Sequence, residues 1–396
     1  MRAGVGRYAV PLTRIGAALW AATVVAVLFR AATWESVGAV ITRTGPVLGF
    51  AVAITMVADV AFRSGVFTSI AEGLARHSGG RRWVLFAAVI GLAVVCTAFL
   101  SLDTTAVLLT PIVILLAQHT RSAALPFALA TVWLANTASL TLPVSNLTNL
   151  LASHELGSPS PATWLRTFAL PSLVAIGVTC LALAVVSRRH LRGNYRLEER
   201  SETPDRTLWW VAAITMVALL PALLLPVAPW IPATAAAVVL LVAAAARREQ
   251  QATDWHAPWR DVPWGLVVFA SGLFVAADAI EQGILVHLAI PDLGEGAGAA
   301  FAASGIALVA ANLLDNLPAY LLLEPLTTSH LALKAVLVGV NVGPLITPWA
   351  SLATLLWHRQ LSALGVEVPW KRYIAMGAVL APLAVAATTA TLLLVS

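Results

Sequence analysis

Apolar segments of nearly membrane-spanning length recur along the whole chain and limit what it can fold into. Examples are residues 15–29, 83–100, 208–227, 233–246 and 262–277. Only helices and closed barrels satisfy their backbone groups inside a bilayer. Hydrophobic residues make up 59% of the chain and charged residues 11%, whereas a soluble domain carries about 25% charged residues. Because a helix needs about 20 apolar residues to cross a bilayer, we predict an all-α polytopic inner-membrane protein with about ten transmembrane helices.

The net charge of +5 comes from basic residues in short polar stretches between the apolar segments. Positive charge in such loops is retained on the cytoplasmic side of a membrane, so we expect these loops and the N-terminus to be cytoplasmic. The charge therefore reports topology, and no nucleic-acid partner is predicted. The basic stretches contain Arg2, Arg7 and Arg14; Arg63, Arg76, Arg81 and Arg82; Arg188, Arg189, Arg192, Arg196, Arg200 and Arg206; and Arg359, Lys371 and Arg372.

The sequence gives no indication of an enzyme or of a resident cofactor. Cys96 and Cys180 are the two cysteines, and both lie inside apolar segments, which excludes a disulfide scaffold and a CxxC metal site. The HExxH, GxSxG, GxxxxGK[ST] and dinucleotide-binding motifs are all missing. We therefore expect a non-enzyme without cofactor or bound metal, driven by an ion gradient or by a separate energy-supplying subunit.

The chain is predicted to consist of two related halves. Three pairs of interrupted apolar segments occur in the same order: MVADVAFRSGVF (56–67) with LFVAADAIEQGIL (273–285), SLDTTAVLLTP (101–111) with LLDNLPAYLLLEP (313–325), and LPVSNLTNLLA (142–152) with TPWASLATLLW (347–357). Such symmetry is typical of transporters whose site lies at the repeat interface near the bilayer midplane. The predicted divisions are a first repeat with N-terminal spans (1–186), a basic cytoplasmic linker (187–206), two connecting spans with a basic loop (207–261) and a second repeat (262–396).

Two aspartates lie in apolar surroundings with no Lys or Arg within several residues. Asp103 precedes Thr104 and Thr105, and Asp315 lies between Asn312 and Pro318. A buried carboxylate without a cation is costly and holds a proton more readily than one in water. Asp103 and Asp315 are therefore candidate proton-coupling residues. The alternative interpretation is that each aspartate caps a broken half-helix by accepting backbone N–H bonds.

Two proline-containing polar stretches are candidates for the solute site. Proline leaves a backbone carbonyl without its helical partner, and Ser, Thr and Asn supply hydroxyl and amide groups. A hairpin turning within the membrane at these stretches would present such groups to a small ligand; alternatively, the same groups satisfy a kink and bind nothing. The candidate solute-binding residues are Ser145, Asn146, Thr148, Asn149, Asn316, Ser351 and Thr354, and the candidate helix-breaking residues are Pro143, Pro318, Gly343, Pro344 and Pro348.

Three of these segments together resemble the ArsB-type arsenite and antimonite permeases of the ion transporter superfamily. The similar segments are NVGPLITPWASLATLLWHRQL (341–361), LPVSNLTNLLA (142–152) and LDNLPA (314–319), in the expected order. The resemblance implies two inverted repeats, each with a broken helix and a re-entrant hairpin. It also implies efflux of arsenite and antimonite, driven by protons or assisted by an ArsA-type ATPase. One departure concerns Leu345, which stands where the family usually has Lys, so substrate choice is most open there.

The chemistry of the candidate site favours a neutral solute. Arsenous acid is an uncharged trihydroxy molecule at physiological pH, and the site offers Asn, Ser and Thr but no Arg or Lys. A dicarboxylate would more often meet a cation, although helix N-termini can also hold a carboxylate. Arsenic(III) or antimony(III) is thus expected as transported solute. A sodium/proton antiporter of the NhaD branch, a sodium-coupled dicarboxylate carrier of the DASS branch and a passive channel stay open, and a homodimer is compatible with the sequence.

Overall fold

The computed structural model describes residues 12–28, 34–195, 205–225, 227–247, 264–283 and 294–396. These residues form helices joined by short turns, and the pairing of extended backbone among them is limited to one bridge between Arg81 and Asn194. Arg2, Arg7, Arg196, Arg200 and most of the basic loop at 246–261 lie outside the described residues. The helices are α1 (Leu12–Leu28), α2 (Trp34–Arg63), α3 (Val66–His77), α4 (Arg82–Leu100), α5 (Leu102–Thr104), α6 (Thr110–His119), α7 (Ala124–Thr137), α8 (Leu147–Glu155), α9 (Pro161–Ser187), α10 (Arg206–Ala222), α11 (Trp230–Ala246), α12 (Trp264–Gly283), α13 (Ala297–Leu314), α14 (Asn316–Leu323), α15 (His330–Val342), α16 (Leu352–Ala363) and α17 (Trp370–Val395).

The helices confirm an all-α polytopic membrane protein. Among the described residues, six helical segments are long and apolar enough to cross a bilayer by length and composition. Several shorter apolar helices accompany them, including α7 and α15, which are too short to cross alone. The six long segments are Val37–Arg63, Arg82–Leu100, Leu102–His119, Pro161–Ser187, Ala297–Leu314 and Trp370–Val395.

Several basic loops of the first half meet on one face of the molecule. The Arg81–Asn194 bridge joins the start of α4 to the loop that follows α9. The Arg82 guanidinium donates a hydrogen bond from Nη2 to the carbonyl oxygen of Arg121 at 3.0 Å, which brings the loop after α6 to the same place. The start of α4, the end of α6 and the end of α9 therefore lie on one side, which we call the basic face.

Helices α4 and α6 form a hairpin whose tip is Ser101. Ser101 has φ 81° and ψ 160°, a conformation that ends α4 and starts α5 in a new direction. A π-helical turn, Thr105–Leu109, connects α5 to α6. Both ends of this segment lie on the basic face, so the chain enters the membrane and returns.

The segment α7–α8 crosses the membrane as a broken helix, which corrects the predicted hairpin at the proline-containing stretch. Helix α7 starts at the basic face, and α9 must begin on the opposite side because it ends on the basic face and spans 27 residues. The polar stretch between α7 and α8 is therefore an interruption within one crossing. The reversal depends on the positive φ of Ser101, and no proline or glycine lies within several residues of Ser101 to predict it.

The second half repeats these elements. Asp315, with φ 107° and ψ 154°, separates α13 from α14 as Ser101 separates α4 from α5. Helices α15 and α16 are interrupted at residues 343–351, as α7 and α8 are at 138–146. The correspondence is one to one from Asn136 with Asn341 to Leu147 with Leu352, and Pro143 matches Pro348.

The two halves interlock at their centres. Helix α16 packs against α5, α6 and α7 of the first half, and α8 packs against α14 and α15 of the second half. The long helices α9 and α17 pack against each other. Within the second half, Gly339 lets α15 approach α13 closely, because a Cβ at this position would collide with Ala307 and with the carbonyl oxygen of Ser304. This packing holds the two helix interruptions in the middle of the protein.

Candidate functional site

Each helix interruption is tied to the hairpin of its own half by a buried polar side chain. In the first half, the Ser145 hydroxyl donates to the carbonyl oxygen of Ala98 near the end of α4, at 2.8 Å. In the second half, Asn312 of α13 donates to the Gly343 carbonyl at 2.8 Å and accepts from the N–H groups of Ile346 and Thr347, each at 3.1 Å. The hairpins and the interrupted helices therefore form one polar centre.

Asn341, near the end of α15, is the main hydrogen-bonding residue of this centre. Its Oδ1 accepts from Ser139 Oγ at 3.0 Å, from Thr148 Oγ1 at 3.3 Å and from Asn146 Nδ2. Its Nδ2 donates to Asn149 Oδ1 at 2.8 Å and to the Leu337 carbonyl at 2.9 Å. We call Asn341 with its four side-chain partners the Asn341 cluster, and all five side chains are buried.

The predicted solute-binding residues of the first half thus come together, but their polar groups face protein. Asn149 donates both Nδ2 hydrogens, to the carbonyls of Ser139 at 2.6 Å and Leu142 at 2.9 Å. Asn146 caps α8 by accepting from Thr148 N–H at 3.3 Å, and the Ser145 hydroxyl also accepts from Leu142 N–H at 3.1 Å. In this conformation these groups satisfy the helix interruption, and solute binding by them stays a prediction.

The second interruption carries fewer polar side chains. Helix α15 ends at Val342, immediately before Gly343 and Pro344, and Pro348 lies in the turn before α16. Ser351 caps α16 by accepting from Thr354 N–H at 3.3 Å, and the Ser351 and Thr354 hydroxyls share a hydrogen bond of 3.0 Å.

Leu345, the residue at the family's usual Lys position, lies in this second interruption and is fully buried. Pro318 lies in the first turn of α14, where its missing N–H leaves no helical hydrogen bond unmade. The helix break itself lies at Asp315. Asn316 is buried at the start of α14.

Asp103 lies two residues beyond the hairpin tip with no hydrogen bond to its carboxyl group among the described residues. The capping role at this break belongs to Ser101, whose Oγ accepts from Thr104 N–H at 3.4 Å. Asp103 lines a cavity of about 20 Å³ together with Ser101, Phe50, Thr55 and Leu147. A space of this size holds about one water molecule. The capping interpretation therefore does not describe Asp103, and proton coupling by its carboxyl group stays a prediction.

Asp315 caps a helix, as the alternative interpretation held. Its Oδ1 accepts from Leu317 N–H at 3.1 Å, and the N–H groups of Asn316 and Leu352 also face its carboxylate. The N-termini of α14 and α16 therefore converge on one side chain. Asp103 is within electrostatic range of Asp315.

A larger cavity opens on the side opposite the basic face. It has a volume of about 500 Å³ and is lined by α2, α8, the start of α9 and the turn between α10 and α11. Phe50 lines both this cavity and the small cavity at Asp103. The Phe50 ring is 2% exposed. We call the larger space the outer vestibule, with Phe50 between it and Asp103.

Sequence reasoning missed Asn136, Asn312, Asn341 and Phe50 as site residues. Each asparagine lies within an apolar helix, and an amide among such residues signals a buried hydrogen-bonding role. The match of Asn136 with Asn341 across the two halves was a further available signal. Nothing in the sequence distinguishes Phe50 from the other apolar residues of α2.

Comparison with known proteins places these features in context. A family model described as CitMHS, citrate transporter, matches residues 8–355. The arsenical pump membrane protein of Escherichia coli is 27% identical over 356 residues, which cover 83% of this chain and 81% of that protein. The protein of the same name from Yersinia enterocolitica gives the same values. The putative arsenical pump membrane protein of Bacillus subtilis (strain 168) is 26% identical over 375 residues, covering 84% and 83%.

A solved structure shares the fold. The crystal structure of the YdaH transporter from Alcanivorax borkumensis, described as having an unusual topology, matches with a TM-score of 0.55. The match covers 91% of this chain and 87% of the YdaH chain at 16% sequence identity. The similarity at this level concerns the arrangement of helices.

Proposed function

This chain belongs to the CitMHS (citrate transporter) family, and from that premise we propose that it is a secondary transporter that exports arsenite and antimonite, as As(OH)₃ and Sb(OH)₃, in exchange for protons. The observation that carries the choice of solute is the absence of cations at the polar centre. Neither interruption, at 138–146 or 343–351, contains Lys or Arg, and their polar side chains are amides and hydroxyls. Such groups suit a neutral polyhydroxy solute, and relatives named arsenical pump membrane proteins support this choice.

Citrate is the second candidate solute, because of the family's description and of one structural feature. The N-termini of α14 and α16 converge at Asp315, and helix N-termini attract anions. However, the Asp315 carboxyl group already accepts hydrogen bonds from these N-termini and so occupies the position that a carboxylate of citrate would take. A sodium-coupled carrier and a sodium/proton antiporter are the remaining alternatives within the superfamily.

The proposed coupling uses Asp103. In its neutral form the carboxyl group can lie in the apolar surroundings of Phe50 and Leu147, and on reaching water it can release its proton. Solute and proton would then compete for one binding-competent state, which couples efflux to proton entry. Asp315 lies within electrostatic range, so its charge influences the protonation of Asp103.

The membrane topology that fits this function has the basic face in the cytoplasm. Arg81, Arg82, Arg121 and Arg188 lie in loops of that face, and the positive-inside rule favours their retention. Helix α2 ends at a further basic residue, Arg63, and a cytoplasmic N-terminus stays a prediction. The outer vestibule would then face away from the cytoplasm, in the inner membrane. An ArsA-type ATPase remains a proposed partner.

Two experiments test the proposal. Expression in a strain that lacks its own arsenite efflux should restore growth on arsenite, with membrane insertion checked by immunoblot. Everted vesicles should accumulate arsenite when a proton gradient is imposed. They should not accumulate citrate, and a sodium gradient should not replace the proton gradient. Citrate uptake without arsenite uptake would establish the second candidate, and arsenite flux indifferent to the gradient would establish a passive channel.

A further inference from the structure

Asn136 is the counterpart of Asn341 in the first half, yet its amide oxygen has no partner. Both asparagines lie near the end of the first part of an interrupted helix, and both donate from Nδ2 to the carbonyl four residues earlier at 2.9 Å. The two amides therefore have the same orientation relative to their helices. Asn341 Oδ1 accepts from three side chains, whereas Asn136 Oδ1 is buried without a hydrogen bond among the described residues.

The sequence explains why Asn136 lacks partners. The three donors to Asn341 are Ser139, Asn146 and Thr148, and the residues at the corresponding positions of the second half are Pro344, Ser351 and Ala353. Pro344 and Ala353 have no side-chain donor. The Ser351 hydroxyl is engaged with Thr354. The second half therefore supplies Asn136 with none of the three side-chain donors that Asn341 receives.

Other contacts place the start of α16 against Asn136. Helix α16 packs on α7, and Trp357 donates to the Ala128 carbonyl at 2.8 Å. The two helices run in opposite directions, so the first turn of α16 lies beside the last turns of α7. The Tyr373 hydroxyl lies near Thr354 and Trp133. Trp133 precedes Asn136 by one turn.

These neighbours add two further polar groups. Trp133 Nε1 and Tyr373 Oη are buried and interact with each other, and Tyr373 Oη also interacts with Thr354; neither makes a hydrogen bond of good geometry among the described residues. One acceptor, one N–H donor and one hydroxyl therefore lie on neighbouring turns of α7 and α17. Buried polar groups without partners are rare and costly in proteins. A ligand that donates a hydrogen bond to Asn136 Oδ1 would satisfy the unpartnered acceptor and would lie beside the Trp133 and Tyr373 groups.

We propose that Asn136 is a solute-binding residue, whose Oδ1 accepts an O–H from a small neutral polyhydroxy solute in a half-site completed by Thr354, Trp133 and Tyr373. The inference rests on the proposed function, since arsenous acid is such a solute, and it places the binding where α7 of the first half meets α16 of the second half. The Asn341 cluster, fully hydrogen-bonded, then acts as the fixed structural partner of this half-site.

The test compares a variant at Asn136 with a variant at a buried hydroxyl outside the half-site, by calorimetric titration of the purified protein in nanodiscs with arsenite at neutral pH. Asn136→Leu removes the acceptor and should raise the Kd roughly tenfold, the effect of about one hydrogen bond. Thr179→Val removes a buried hydrogen bond to Thr137; it should lower the Tm and leave the Kd within about twofold, since neither threonine lies in the proposed half-site.

A third variant distinguishes binding of a solute at Asn136 from binding of an ordered water there. Ala353→Thr restores the residue type found at position 148, so its hydroxyl should satisfy Asn136, raise the Tm and weaken arsenite binding. If both Ala353→Thr and Asn136→Leu raised the Tm and left the Kd for arsenite unchanged, Asn136 would hold only an ordered water. That result would overturn the inference. Wild-type protein that binds no arsenite would overturn the inference together with the proposed function, whereas wild-type binding with unaffected variants would overturn the inference alone.

Discussion

Ser101 and Asp315 occupy equivalent positions at the tips of the two hairpins and share one backbone conformation, with φ 81° and 107°. Counting from these tips, Pro111 matches Pro325, and Asp103 matches Leu317. The two acids are therefore not related by the repeat. Asp315 replaces a capping serine, whereas Asp103 is an added carboxyl group in the first turn after the break. Different consequences of substitution follow for the two residues.

Asp103→Asn should abolish proton-driven arsenite efflux and leave folding intact. The carboxyl group makes no hydrogen bond among the described residues, so an amide of the same shape removes titration without removing a structural contact. The measurement is arsenite accumulation in everted vesicles across a series of imposed proton gradients. Glu295→Gln, at an exposed acid, serves as the matched control. Uphill accumulation by the Asp103→Asn protein at the wild-type rate would refute the coupling role.

Two variants at Asp315 should distinguish the effect of its helix cap on stability from the effect of its charge on transport. Asp315→Ala loses the cap and should lower the free energy of unfolding by about 1 kcal/mol. Asp315→Ser keeps a capping oxygen, as at Ser101, and should retain nearly wild-type stability. If the Asp315 carboxylate also titrates during transport, both variants should lose proton-dependent efflux to the same extent. Thermal denaturation should still distinguish them, because the Asp315→Ala protein should have the lower Tm. Equal stability of the two variants would argue against the cap.

Much of this architecture could be predicted from residue patterns, and the exceptions have physical causes. Apolar segments predicted the helices, and the Gly343–Pro344 pair predicted the end of α15. The direction of the chain after each break could not be predicted, because neither serine nor aspartate requires the positive φ that Ser101 and Asp315 adopt. The roles of Asn136 and Asn341 could not be predicted either, because the donors to Asn341 are 193 to 202 positions away along the chain, and only the folded helices bring those side chains close.

Phe50 should control passage between the outer vestibule and Asp103. In a background with Cys96 and Cys180 replaced by serine, a cysteine at Ser153 in the vestibule should react with a charged, membrane-impermeant thiol reagent. A cysteine at Thr55, which lines the inner cavity, should react slowly until Phe50→Ala is added. Reaction at Thr55 that is equally fast with either residue at 50 would show that the ring is not the barrier. Labelling that fails at Ser153 as well would show that the vestibule is not filled with water.

Gly339→Ala should destabilise the packing of α15 on α13. The added methyl group would collide with Ala307 and with the Ser304 carbonyl, and overpacking of this kind costs about 1–3 kcal/mol. Gly305→Ala in α13 is the matched control, because a Cβ there meets nothing within 4 Å. Thermal denaturation in nanodiscs should give a lower Tm for Gly339→Ala and an unchanged or higher Tm for Gly305→Ala. Equal Tm values would mean that the two helices separate readily.

Asp205 and Arg247 should make stability depend on acidity at the basic face. Asp205 caps α10 by accepting from Thr207 and Leu208 N–H groups, and Arg247 Nε donates to its Oδ2 at 2.9 Å. The hydrogen bond from Arg247 is the main cause that lowers the pKa of Asp205 in the folded protein. The ordinary pKa of an aspartate is about 3.9, so the stabilisation is complete above that value and is lost as the pH falls through the lower, folded pKa.

Asp205→Asn keeps a capping oxygen and removes the charge, so it should lower the free energy of unfolding near neutral pH by roughly 1 kcal/mol or less, since Arg247 is partly exposed. The difference in Tm between wild type and Asp205→Asn should shrink below about pH 4, where the wild-type carboxylate also becomes neutral. Glu295→Gln should show no comparable loss of stability near neutral pH. A Tm difference that stays constant down to pH 3 would assign the effect of Asp205 to capping geometry, with no contribution from its charge.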